Sequence, residues 1–151
     1  MKEAYFEVKG KIRGKARPRV TKQGHAYTPS DTAEYERLVQ LAYKRQCGGT
    51  FFGNIENSKE KQPIDIYIMA MYSIPKSYTK GKRLAASHNM ILPVKKPDAD
   101  NIAKIVCDAL NGIAYKDDAQ IVSMIVKKVY TTGAERVFVC IKEFEGLNEE
   151  F

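Results

Sequence analysis

Apolar residues recur at every second position along Ile64, Ile66, Ile68, Ala70, Tyr72 and Ile74, with mostly polar or bulkier residues between them. That period predicts a strand with one fully buried face, and Pro75 stops it. A weaker alternation over residues 3–9 predicts a first strand. Tyr35, Leu38, Val39 and Ala42 fall instead at helical spacing. Asp31 is the expected N-cap of this helix, with Glu34 as a capping-box partner; Lys44 and Arg45 suit its last turn, and Gly48-Gly49 ends it. A second helix follows Asp98, its expected cap. Its stripe runs through Ile102, Ile105, Val106, Ala109, Leu110 and Ile113, and Asn111-Gly112 terminates it.

Two further strands are expected at about 120–131 and 136–144, joined by a turn at Thr132-Gly133. Residues 17–28 read as a basic hairpin around Gln23-Gly24, and 50–62 as a polar loop. The 23 residues from Pro75 to Pro97 are too many for an ordinary connection, and Lys80 to Ser87 suit a short helix within it. The order β-α-β-α-β-β predicts an α+β, two-layer fold. One mixed sheet with two main helices, plus the N-terminal hairpin, forms a single domain over 1–151, and the tail 148–151 is expected to fray.

Composition narrows the class. At 44% hydrophobic and 28% charged, the 151-residue chain has the makings of a folded core. The longest apolar run is too short for a bilayer, and the first residues carry no apolar leader, so no membrane partner is expected. Cys47, Cys107 and Cys140 are odd in number and far apart, which suits reduced thiols in a cytoplasmic protein. Two histidines and no Cys-x-x-Cys argue against a zinc centre. Gly10 to Lys15 has the wrong spacing for a phosphate-binding loop, and there is no dinucleotide fingerprint, so no nucleotide cofactor is expected. The remaining tools are carboxylates, lysines and a hard metal ion.

The formal charge of +7 is unevenly spread. No acid occurs from Val8 to Ser30 or from Ile66 to Pro97. Two acid-free basic tracts in one small domain suggest a polyanion such as nucleic acid, although basic loops can also serve solubility alone. The candidate DNA contacts are Arg13, Lys15, Arg17 and Arg19 in the first tract. In the second they are Lys76, Lys80, Lys82, Arg83, Lys95 and Lys96. Tyr27, Tyr72 and Tyr78, in or beside these tracts, are candidates for stacking on bases.

Acids concentrate where the second helix begins and after it ends. Asp98 and Asp100 flank unpaired N–H groups and the positive end of the helix, which favours their anionic form. Asn101, Lys104, Asp108 and Asn111 share the face opposite the apolar stripe. Asp117-Asp118 opens the next strand, and whether it meets Asp98 depends on how 112–118 folds. Were the acids to converge, oxygen ligands with few histidines would suit Mg²⁺, with Mn²⁺ as a substitute. A phosphodiester would be the natural substrate. Taken singly, each residue has a plainer reading as a cap, a dipole partner or a solvated turn.

The run Lys96-Pro97-Asp98-Ala99-Asp100-Asn101-Ile102-x-Lys104, then Asp108-Ala109-Leu110-Asn111-Gly112, then Tyr115-Lys116-Asp117-Asp118-Ala119-Gln120-Ile121, resembles the core of the RusA-type Holliday junction resolvases. Gly14-Lys15-Ala16-Arg17-Pro18-Arg19, Ala26-Tyr27-Thr28-Pro29 and Ile74-Pro75-Lys76-Ser77 extend the likeness to phage and prophage members. The resemblance implies a Mg²⁺-dependent endonuclease, active as a homodimer, that resolves four-way junctions in recombination and repair. It matches Asp98, Asp100 and Asp118 to metal-binding acids, Lys104 to a catalytic lysine, and Asn101 and Asp117 to supporting positions. Ala99 replaces a bulkier residue, and the 75–97 segment is longer than in well-known bacterial members. Two symmetric cuts suit a two-fold dimer, for which an apolar strand edge or the loop with Phe51 and Phe52 are candidate surfaces. A non-catalytic DNA-binding protein, or a nuclease preferring other branched DNA, are the alternative readings.

Overall fold

The computed structural model describes residues 1–147 apart from 18 and 28; the tail 148–151 and the side chains of Arg19 and Tyr27 lie outside the described residues. One mixed four-stranded sheet is backed by helices, the expected α+β architecture. Strand β1 spans Glu3–Lys9, and β2 (Arg19–Val20) pairs with β3 (Ala26–Tyr27) as the expected small hairpin. Helix α1 is Ser30–Cys47, β4 is Ile64–Ser73, α2 is Lys80–Ser87 and α3 is Ala99–Leu110. A single 3-10 turn at Asp118–Gln120 leads into β5 (Ile121–Thr131), and β6 is Arg136–Glu143.

The sheet order is β1-β6-β4-β5. The short link from β5 to β6 therefore does not make a hairpin. It passes over the end of β4, which pairs parallel with β5 and antiparallel with β6. The parallel pair has a physical origin: the chain between β4 and β5 contains α3, the crossover that parallel neighbours need. Ile66, Ile68 and Ala70 of β4 sit beside Ile141, Val139 and Val137 of β6, and all six are fully buried. The α3 stripe covers this face, with Ile102, Ile105, Val106, Ala109 and Leu110 buried and Ile113 packed at its edge.

Three expectations are corrected. Asp31 does not cap α1: the helix begins at Ser30 after Pro29, no side chain caps it, and Asp31 lies in its first turn. The buried face of α1 runs through Thr32, Tyr35, Val39 and Tyr43, not through Leu38, which is 46% exposed. Tyr43 wins because its ring meets Phe6 of β1 edge-on at 5.4 Å between centroids. Phe52 is no dimer-surface candidate: it is fully buried, bridged to Tyr115 across the 50–62 loop. The three cysteines are free, as expected, with Cys107 buried and the others partly so.

Candidate active site

Helix α3 presents its apolar stripe to the sheet and leaves Asp100, Lys104, Asp108 and Asn111 on the outer side. Asp98 occupies the N-cap position, but its side chain does not cap. It accepts a hydrogen bond from Lys96 Nζ at 2.8 Å instead. That bond and the Lys96 charge, with Lys128 further off, hold its carboxyl below the usual range. Asp100 is exposed in the first turn, with no ion-pair partner among the described residues.

At the other end of α3, the Asp117-Asp118 turn is built by a residue that the motif alone does not mark as part of the site. Gln120 is only 4% exposed. Its Oε1 accepts from the N–H groups of Lys116 and Asp117, and its Nε2 donates to the carbonyls of Phe52, Gly53 and Gln62. Asp117 in turn accepts from Ala119 N at 3.1 Å, which completes a capping box with Gln120. Asn111, the C-cap of α3, accepts from Asp118 N at 3.2 Å and ties the turn to the helix end. Capping-box spacing, Asp117 to Gln120, was the available sequence signal.

The electrostatics of this end are those of crowded acids. Partial desolvation, a hydrogen bond with Asp117 and the charges of Asp117 and Asp108 push the Asp118 carboxyl above its ordinary value, against an opposing pull from Lys104. Asp117 moves the other way, held down first by the Ala119 N–H and then by Asp118, with Lys61 3.6 Å away assisting. Lys104 Nζ lies 3.8 Å from Asp108. Cys107, buried beneath, is pushed up to about 12 by desolvation and by the same acids.

The basic tract before α1 is strapped across α3. Lys15 N donates to the Asn101 carbonyl at 2.9 Å, and Lys15 Nζ pairs with Glu36 and lies 3.3 Å from Asp108. Lys15 is thus committed to two carboxylates rather than free for phosphate. Gly14 is required where the strap crosses: a Cβ there would stand 2.7 Å from Pro97 Cβ and 3.0 Å from Asn101 Cβ.

The three matched acids are not gathered in one chain. Asp98 precedes an α3 of twelve residues, about 18 Å long, and Asp118 is bonded to its far cap. Among the described residues no three of His, Cys, Asp and Glu stand together as a metal-binding group. What fits a hard divalent ion is the kind of donor: carboxylates alone, with Asp118 raised first by partial desolvation and then by its acidic neighbours, against the pull of Lys104.

The other basic candidates, Arg13, Arg17, Lys76, Lys80, Lys82, Arg83, Lys95 and Lys96, lie at the surface, fully or partly exposed. Arg83 donates to the Pro75 carbonyl, and Lys82 lies over the Tyr78 ring at 4.1 Å. Stacking by Tyr72 is corrected: the residue is 2% exposed on the covered face of β4, so its ring face is closed to a base. No helix among the described residues is long and apolar enough to cross a membrane.

Residues 9–142 match the family Endodeoxyribonuclease RusA. The chain is also similar to a Bacillus subtilis (strain 168) protein named "Uncharacterized protein YqaN". The two are 31% identical over 143 residues, spanning 91% of this chain and 94% of that protein.

Proposed function

Because the chain belongs to the RusA endodeoxyribonuclease family, we propose that it resolves four-way DNA junctions in recombination and repair, as a Mg²⁺-dependent homodimer whose two active sites are each completed by both subunits. The observation that carries the dimer is the separation of Asp98 and Asp118 by the length of α3. One chain offers half a ligand set at each end of the helix. A two-fold dimer can place Asp98 and Asp100 of one subunit beside Asp118 of the other, twice over. Two identical sites then match two opposed strands.

In this reading Asp98, Asp100 and Asp118 hold the metal, with Asp117 and Asn101 in support. A bound divalent ion supplies an activated water and charge neutralisation for phosphodiester hydrolysis. The chain's own groups do the rest. Asn111 and Gln120 fix the backbone that carries Asp118. Lys104 leaves its exposed pairing with Asp108, a weak surface interaction, and places its ammonium against the phosphate. Lys96 releases Asp98 on the same terms. Exposed bases of both tracts hold the flanking backbone and carry no sequence information.

The test mixes two dead variants. Asp98→Asn and Asp118→Asn should each abolish cleavage of a four-way junction in Mg²⁺ while junction binding persists. Co-expressed, they form mixed dimers with one site free of both lesions and one carrying both. Nicking of a single strand should then return. Continued silence of the mixed dimers would place all three acids in one subunit's site. Cleavage of three-way, flap or linear duplex DNA at equal rates would remove the junction preference, and binding without cleavage by the unmodified protein would leave a DNA-binding protein.

A further inference from the structure

A groove of about 830 Å³ opens between the first basic tract, the start of α1 and the segment leading into α3. It is large enough for a nucleotide by the ~300–1,000 Å³ scale of small-ligand sites. It adjoins the site through Lys96 and Pro97, the residues immediately before Asp98. Its lining is chemically divided. Lys11, Arg13, Lys95 and Lys96 supply cations, whereas Asp31 and Glu135 supply carboxylates.

Tyr72 also lines this groove, and its hydroxyl is shut from bulk water with no hydrogen-bond partner among the described residues. The Tyr35 hydroxyl is in the same state, and the Glu135 charge acts on both. Buried hydroxyls without partners are rare, because each forfeits the hydrogen bonds it made to water. Lys95 and Lys128 roof Tyr72, their ammonium groups 5.1 and 5.7 Å from the ring centroid. Lys95 is exposed and Lys128, which also donates to the Lys95 carbonyl, is partly so; both ammonium groups can swing to phosphate, which uncovers the ring edge beneath.

We propose that this groove holds one nucleotide of the branched DNA, unstacked from its neighbours beside the cleaved phosphate. Its phosphates lie on Lys11, Arg13, Lys95 and Lys96, and its base edge meets the Tyr72 hydroxyl. The acids fit the same occupant. The Watson–Crick edges of adenine, guanine, cytosine and thymine each carry at least one N–H donor, and Asp31 and Glu135 are acceptors, although one Glu135 oxygen already receives Ile12 N at 3.0 Å. The groove then explains preference for a branch over a duplex. At a branch point a base leaves its stack at low cost, whereas a duplex must first break a pair. This inference rests on the DNA-cleaving reading above and adds a subsite to it.

The experiment uses the full chain in EDTA, so that no strand is cut, with four-way junctions carrying 2-aminopurine at each position flanking the cleavage point. Emission of the probe reports unstacking, and anisotropy of an end label on the same DNA reports binding separately. Emission should rise several-fold at one flanking position on the junction and stay flat on a linear duplex. Tyr72→Phe should weaken binding of that junction by about 3–10-fold, the scale of one net hydrogen bond. It should leave a junction abasic at the same position unaffected. Lys95→Ala should weaken both substrates alike. Flat emission at every flanking position with normal anisotropy overturns the subsite alone, as does a Tyr72→Phe loss equal on the two substrates. Absent anisotropy change overturns the DNA-binding reading with it.

Discussion

Replacing Gln120 tests whether the Asp117-Asp118 turn is held by a single buried amide. Gln120→Leu keeps the approximate volume and removes two hydrogen bonds accepted from backbone N–H and those donated to three backbone carbonyls by two N–H groups, one of them shared. The bond to the Phe52 carbonyl is fully buried, and leaving that acceptor bare costs about 1–3 kcal/mol. The other four groups sit at part-buried positions where water can replace the amide, so each forfeits only about 0.5 kcal/mol. The sum is about 3–5 kcal/mol, a large share of the ~5–15 kcal/mol that holds a domain folded. Urea denaturation at neutral pH measures it. A loss under about 1 kcal/mol would mean that the turn stands without Gln120, and the construction argued for Asp118 would fall.

Gln120→Glu adds a signed pH dependence. The new carboxyl can still accept from Lys116 and Asp117, but its second oxygen faces three carbonyl oxygens in a buried position. Its folded-state pKa must therefore rise above the unfolded value of about 4.3. Below that value the group is protonated in both states, and one O–H can still serve a carbonyl. As pH rises through the window between the two pKa values, the native state binds more protons than the unfolded one, and stability relative to the unmodified protein falls. Above the folded pKa the deficit is constant. Gln120→Leu should show no such slope, and a flat profile for Gln120→Glu would show that the position is wetter than its 4% exposure indicates. In either variant cleavage should drop by on the order of 10²-fold, the scale of a misplaced reacting group, with junction affinity little changed.

Gly14→Ala should lower stability by about 1–3 kcal/mol in thermal or urea melts, because its Cβ would stand 2.7 Å from Pro97 Cβ and the strap must lift. Lys104→Ala should slow cleavage by on the order of 10²–10³-fold with a much smaller loss of junction affinity, as measured by single-turnover kinetics and by titration. Equal reductions in rate and affinity would make Lys104 an ordinary phosphate-binding lysine. Replacing Lys80, Lys82 and Arg83 with Ala should flatten the dependence of log affinity on log salt by about 0.9 for each phosphate no longer neutralised, without moving the cut. An unchanged slope would turn the α2 connection away from DNA.

Strands β1 and β4 and helix α3 were legible because each has one dominant neighbour layer, so its period survives in the residue pattern; α2 buries only Ala86 and was legible only as a short helix within an overlong connection. Helix α1 was harder. It offers two apolar stripes, and only the meeting of Tyr43 with Phe6 decides which one is buried; Leu38 and Leu41 are left 46% and 48% exposed. The order of β5 and β6 was illegible for a different reason. A short link ordinarily joins neighbours, and only the sheet shows β4 between them. The candidate site residues stand out in the chain as a motif, but their spacing in three dimensions does not. It is set by the axial length of α3 and by the Gln120 bonds that reach back to the 50–62 loop, a segment that reads in sequence as polar filler.

That loop links stability to chemistry in a way that composition conceals. Phe52 is buried against Tyr115, and the carbonyls of Phe52 and Gly53 are two of the three that Gln120 reaches. Tyr115 also donates to the Cys107 carbonyl at 2.7 Å, in the last turns of α3. The Asp118 turn, the end of α3 and the 50–62 loop therefore form one hydrogen-bonded block built on two buried aromatics. At the opposite end of α3, Asp98 and Asp100 are exposed, and the Asp98 carboxylate is paired, among the described residues, with the surface lysine Lys96. A metal site assembled from both ends of the helix joins a rigid half to an adaptable one. In the proposed two-fold dimer the rigid half of each subunit would meet the adaptable half of the other. On the proposed reading Asp98 and Asp100 would be the donors free to adjust as DNA draws Lys96 toward phosphate, and Asp118 the one whose backbone is fixed by Asn111 and Gln120. Such a division of labour would leave the proposed site loosely assembled until both a second subunit and a phosphate backbone were present, which suits a nuclease that must not cut every duplex it touches.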